Sequence, residues 1–184
     1  DLSEEMLAVA IQKANENQHY IPFYHQDMRA LEGLNLYDIV VIFCDSLNYL
    51  GDENDVKDTF KGVLNHMKED GLFIFDVHSV KKMSTFFNDQ TYADNGDDIS
   101  FIWNAWKGTE IPHSVEHELT FFVYDHELDA YNRFDEDQFQ RTYPIDMYKT
   151  WLDEIGFELV ELMGDFGGNS LDEADRIFFV CKKK

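Results

Sequence analysis

The chain has 184 residues, 44% hydrophobic and 15% aromatic, which excludes a disordered polypeptide and allows one domain with a full core. No apolar run approaches the ~18 residues that cross a bilayer, so no membrane partner is expected. A formal net charge of -22, from 37 acidic against 15 basic residues, repels phosphate backbones, so no nucleic-acid partner is expected either.

Residues 3–17 read as a helix: Ser3 suits the N-cap, Glu4 and Glu5 the first turn, and Met6, Leu7, Ala10, Ile11 and Ala14 share one apolar face. Residues 20–24 read as a short strand. Residues 39–43 form an unbroken apolar, β-branched run, the pattern of a central parallel strand covered on both faces. A second helix is predicted over 53–69, with Val56, Phe60, Val63, Leu64 and Met67 on one side and Gly71 as its stop. The run 72–77 is the next buried strand. The order points to α/β architecture: a doubly wound, mostly parallel sheet.

Beyond residue 80 the pattern changes. Residues 81–98 hold a short helical stretch and the polar turn Asp94-Asn95-Gly96-Asp97-Asp98. Strand-like stretches follow at 99–107, 115–124 and 130–143 with hairpin-length connections, the mark of an inserted antiparallel β meander. The α/β frame resumes with a helix over 144–155, closed by Gly156. Strands at 157–163 and 176–182 then form an antiparallel pair at the sheet edge. The expected division is therefore a frame, 1–80 with 144–184, and an inserted lid or substrate subdomain, 81–143. Cys44 and Cys181 lie in apolar runs and read as buried, reduced thiols of a cytoplasmic protein.

Four stretches of the frame together resemble one family. They are Asp1-Leu2-Ser3-Glu4-Glu5-Met6-Leu7, Gln26-Asp27-Met28-Arg29, the run from Tyr37-Asp38 through Asp45-Ser46-Leu47-Asn48-Tyr49-Leu50, and Asp70-Gly71-Leu72-Phe73 ahead of Phe75-Asp76. In this order and spacing they resemble the class I, Rossmann-like S-adenosylmethionine-dependent methyltransferases, over residues 1–77 and 144–182. The resemblance implies S-adenosylmethionine as cofactor. It implies that Asp1, with Leu2, meets the ribose hydroxyls, for which an acceptor-only carboxylate is suited. Asp27 and the Met28 amide would meet the adenine, and Cys44, Asp45 and Ser46 the methionine end. The family's acidic G-x-G-x-G motif is absent from the sequence. The expectation is that it lies upstream of Asp1 in a missing N-terminal segment.

Methyl transfer from a sulfonium needs alignment more than acid–base apparatus. His78, at the end of the run 72–77, is the candidate base. Asn48, Tyr49, His78, Trp103, Arg133 and Arg141 are the candidate contacts to a small-molecule acceptor. The two arginines have two uses open to them, clamping a carboxylate substrate or pairing with Asp135, Glu136 or Asp137. His113-Ser114-Val115-Glu116-His117 has the H-x-x-E-H form of a metallopeptidase motif. On a strand, however, its histidines stand ~13 Å apart, so no metal site is expected. Two other function classes remain open at this point: a nicotinamide-dependent oxidoreductase of Rossmann type, and a binding domain of the same fold without catalysis.

Overall fold

In the computed structural model, which describes residues 1–184, the Ser3 hydroxyl caps helix α1 (Glu4–Glu16), accepting from the Met6 N–H at 3.1 Å. Only Ala14 of the expected apolar face is buried; Met6 and Ile11 stay exposed. Residues 20–24 do not form the expected strand. A strand needs a ladder partner, and this segment finds none. Only its end is tied: the Tyr24 carbonyl accepts from the Asp1 amino group at 3.2 Å, and just beyond it the Gln26 N–H donates to the Asp1 carbonyl at 3.1 Å.

The first sheet has the order β1-β2-β8-β7, built from β1 (Tyr37–Ile42), β2 (Met67–His78), β7 (Phe157–Gly164) and β8 (Arg176–Lys183). β1 and β2 are parallel; β8 runs antiparallel to both β2 and β7, the reversed ending the sequence foreshadows. Helices α2 (Glu53–Asn65) and α4 (Ile145–Ile155) cover one face. There Val56, Phe60 and Val63 of α2 and Tyr148, Trp151 and Leu152 of α4 meet Phe73, Phe75, Ile177 and Phe179. Phe75 and Phe179 stack with ring centroids 4.6 Å apart. Phe60, wholly buried and touching both Phe73 and Phe75, contributes about 2–3 kcal/mol by removing its ring from water.

Among residues 1–184, β1 is the end strand of the sheet. Val40 and Ile42 face the core, whereas Ile39 and Val41 point the other way and are half-exposed. The second helix ends at His66, and β2 starts at Met67, earlier than the pattern implied. Gly71 is therefore no helix stop. It sits in the strand where the β1–β2 register shifts, and a Cβ there would lie 3.0 Å from the Lys68 carbonyl oxygen and 3.3 Å from that of Asp38. A bulged strand approached this closely by backbone requires glycine. Gly156 does close α4, with φ 118° and its N–H donating to the Leu152 carbonyl.

The meander is a four-stranded antiparallel sheet rather than three strands: β3 (Gln90–Asn95), β4 (Ile99–Lys107), β5 (Ser114–Asp125) and β6 (Ala130–Arg141). Asp94 and Asn95, expected in a turn, end β3. The short helix α3 (Val80–Thr85) leads into it, and Met83 and Phe87 pack on Ala105, Val115 and Trp103 in a small second core. Two buried polar ties join this sheet to the frame. The Asn48 side chain accepts from the His78 N–H and donates to the Arg141 carbonyl, both at 2.8 Å, and the Thr142 hydroxyl donates to the His78 carbonyl at 2.6 Å. No helix of the chain is long and apolar enough to cross a membrane.

Candidate active site

The site grows from the carboxyl ends of β1 and β2. After β1 the backbone turns through two consecutive left-handed residues, Cys44 at φ 58° and Asp45 at φ 52°. Non-glycine residues hold that region at a cost of about 1–3 kcal/mol each, and such strain gathers at functional sites. Here it is offset by the Asp45 side chain. Asp45 Oδ2 lies 3.2 Å from His78 Nε2 and accepts from Gln140 Nε2 at 2.9 Å, while Oδ1 accepts from Arg176 Nη2 at 2.9 Å. The Arg176 guanidinium also donates to Asp76, which in turn accepts from the Asp45 N–H at 3.1 Å. Burial alone would raise the Asp45 pKa, but the bonds and charges of His78, Gln140 and Arg176 outweigh it and hold the carboxyl at about 2.

Asp45 being ionised, the His78 Nε2 carries the proton and donates to it, which leaves the Nδ1 lone pair available. That Nδ1 is buried and has no partner in the chain. A second histidine is fixed by the same logic. Trp103 Nε1, which can only donate, points at His117 Nδ1 at 3.0 Å, so His117 Nε2 carries the proton toward Gln140 Oε1 at 3.2 Å. Burial pushes the His117 pKa down, in keeping with a neutral ring. Trp103, His117, Gln140 and Asp45 thus form one directed chain of donors that runs from the meander into the frame and ends on the partner of His78.

These groups wall a cavity of about 300 Å³ lined among others by His78, Lys82, Phe86, Trp103, His117 and Arg176. That is the lower end of the range for small-molecule sites. Tyr49 stands at it too, its hydroxyl donating to Gln138 Oε1 at 3.1 Å. Of the expected acceptor contacts, the fold gathers Tyr49, His78 and Trp103 here. Asn48 is wholly buried behind His78 as a tie. Arg133 is exposed and bound to Asp135 at 2.8 Å, and Arg141 donates to the Gly51 carbonyl with its guanidinium over the Tyr143 ring. Neither arginine lines the cavity; the pairing use wins for Arg133, and backbone and ring contacts occupy Arg141.

The residues expected around a nucleotide lie along the frame. The Asp1 carboxylate accepts from the Ser3 N–H at 2.9 Å through Oδ1, and Oδ2 has no partner. Asp27 caps the turn Met28–Ala30 and is gripped by Arg29, which also reaches Asp55 at 3.1 Å. Met28 packs against the main core. Cys44 is exposed, contrary to its expected burial, because its left-handed turn carries it out of the strand; Cys181 is buried in β8. Ser46 donates to the Phe43 carbonyl at 2.8 Å.

Comparison with known proteins decides the family. Residues 1–71 match a family model described as a methyltransferase domain. Two proteins that carry the name "putative methyltransferase" align over this whole chain: one from Geobacillus sp. (strain WCH70), 49% identical over 74% of its length, and YqeM of Bacillus subtilis (strain 168), 44% identical over 73% of its length. The crystal structure of an S-adenosylmethionine-dependent methyltransferase from Clostridium acetobutylicum ATCC 824 superposes with a TM-score of 0.90 at 29% identity, covering 100% of this chain and 73% of that one. The chain belongs to the class I S-adenosylmethionine-dependent methyltransferases. The nicotinamide reading falls with that finding.

In this methyltransferase, sequence reasoning passed over Lys82, Gln140 and Arg176, and it weighed His117 only as a metal ligand. Arg176 had a usable signal, as one of four arginines in a strongly acidic chain. Gln140 had none, since its role arises from bonds to residues 23 and 95 positions away.

Proposed function

We propose that this methyltransferase passes a methyl group from S-adenosylmethionine to a small molecule held in the cavity between frame and meander. In this reading residues 1–80 with 144–184 hold the cofactor, and residues 81–143 form the lid that shapes the acceptor site. The observation that carries the proposal is the Asp45–His78 pair at the carboxyl ends of two parallel strands, both residues lining the same cavity. Ligands of open α/β sheets bind at that edge. The cavity's size favours a small acceptor over a protein chain. Two free thiols suit a cytoplasmic setting.

The frame residues fit the cofactor unevenly. Asp1, with one carboxylate oxygen free, suits the ribose hydroxyls, with Leu2 beside it. Asp27 suits the adenine amino group only if Arg29 releases it toward Asp55, because Arg29 engages both carboxylate oxygens. The neighbouring Met28 would flank the same ring. Cys44 and Ser46 lie by the methionine end, whereas the Asp45 carboxylate is spent on His78, Gln140 and Arg176 and serves as a positioning group.

S-adenosylmethionine, when bound, supplies a methyl group already activated by its positively charged sulfur. The chain's own part is to seat the acceptor, exclude water and take one proton. His78 Nδ1 accepts that proton from an acceptor hydroxyl or amine. Asp45, held ionised, stabilises the imidazolium that results, and the Trp103–His117–Gln140 chain keeps Asp45 in place. The test is to incubate the protein with methyl-labelled S-adenosylmethionine and a deproteinised cell extract. The proposal expects label in a small-molecule product; label found only on added protein substrates contradicts it.

A further inference from the structure

Lys82 is the one charged group of the cavity with nothing to bind. The Asp45 carboxylate is taken by His78, Gln140 and Arg176, and the Arg176 guanidinium by Asp45 and Asp76. Lys82 Nζ makes no hydrogen bond and no ion pair. It stands over the rings of Phe86 and Phe87, with centroids 5.6 and 5.3 Å away. Lys13 and Lys107 also lack ion pairs, but both are exposed at the surface, where water serves them. Lys82 is partly buried, so part of that hydration is lost. Burial, and next the positive charge of Arg176, push its pKa down, which is the sign of a cation short of compensation. The charges of Asp45, Asp175 and Asp165 act on it the other way without making a direct ion pair, so the ammonium at this cavity wall keeps no carboxylate in contact. An occupant that carries a negative charge would supply the missing partner.

The walls around it specify the rest. Phe86, Phe87 and Trp103 give flat apolar surface, and His78 lines the same cavity. We propose that the methyl acceptor is an anionic small molecule whose carboxylate or phosphate pairs with Lys82 and whose body lies on Phe86, Phe87 and Trp103. This places the charged group on the α3 side and leaves the accepting hydroxyl or amine for His78. The inference rests on the methyltransferase reading of the cavity, and it moves the carboxylate clamp from Arg133 and Arg141 to a lysine.

The test uses matched aromatic probes, benzoate against benzamide and indole-3-acetate against indole-3-acetamide, with binding read by saturation-transfer NMR on the protein. Each carboxylate should bind about tenfold more tightly than its amide, as one charge-assisted contact of ~1.4 kcal/mol gives. The preference should vanish in Lys82→Met and persist in Lys82→Arg. Equal binding of acid and amide to the unaltered protein overturns the proposal, whatever the variants do. A preference that survives in a folded Lys82→Met protein overturns it as well. S-adenosylhomocysteine binding, measured alongside by calorimetry on the full-length protein, separates this from the broader reading: its absence refutes the methyltransferase site, whereas its presence with no acid preference refutes only the anionic acceptor.

Discussion

His78 Nε2 and Asp45 Oδ2 lie 3.2 Å apart and join the carboxyl ends of the two parallel strands, while His78 Nδ1 remains without a partner. The pair has the form of an oriented general base. Replacing His78 by Gln removes the proton acceptor and should lower methyl transfer to a hydroxyl or amine by about 10²–10⁴-fold. Cofactor affinity should be unchanged. Single-turnover transfer of labelled methyl, together with calorimetry of S-adenosylhomocysteine, reads both quantities. An unchanged transfer rate removes His78 from the chemistry.

Asp45 ties stability to acid. Its pKa is depressed from 3.8 to about 2 in the folded chain, so its stabilising effect is fully present above the unfolded value and is lost as pH falls through about 2. Acid unfolding followed by circular dichroism between pH 5 and 1.5 should show this loss. In Asp45→Asn the contribution is missing at every pH, so the variant should be less stable at pH 7 and its stability should fall less over that acid range.

The fold was legible where local chemistry acts alone. Ser3 capping α1, the apolar faces of α2 and α4, Gly156 at φ 118° and the reversed final strands are all written in short windows of sequence. β3 was not, because Gln90–Asn95 is polar and alternates weakly; it becomes a strand by pairing with β4. His78, Tyr49 and Trp103, named from the sequence, meet at one cavity. The partners that give His78 its meaning were not legible as such, since Asp45, Gln140 and Arg176 converge from positions up to 131 residues apart.

The two cysteines should differ sharply. Cys181 is buried and its thiol is pushed up to about 12, whereas Cys44 is exposed on its left-handed turn. Titration with a disulfide reagent should therefore find one rapidly reacting thiol in the native protein and two after unfolding. Because the proposal puts Cys44 at the methionine end of the cofactor, it expects saturating S-adenosylhomocysteine to slow the reaction of this thiol. A rate indifferent to the ligand speaks against that placement.

Asn48 is a buried tie between frame and lid. Replacement by Ala leaves the His78 N–H and the Arg141 carbonyl without their side-chain partner, an expected loss of about 2–3 kcal/mol in urea unfolding. Asp in its place keeps an acceptor for His78 but meets the Arg141 carbonyl without a donor, so it should rescue only part of the loss.

The central claim is that this chain contributes to a site for S-adenosylmethionine. Isothermal calorimetry of the full-length protein with S-adenosylhomocysteine and, separately, with NAD⁺ tests it most directly. One-site binding of S-adenosylhomocysteine, weakened in Asp1→Ala, with no heat from NAD⁺, is the predicted result. Absence of S-adenosylhomocysteine binding would contradict the account.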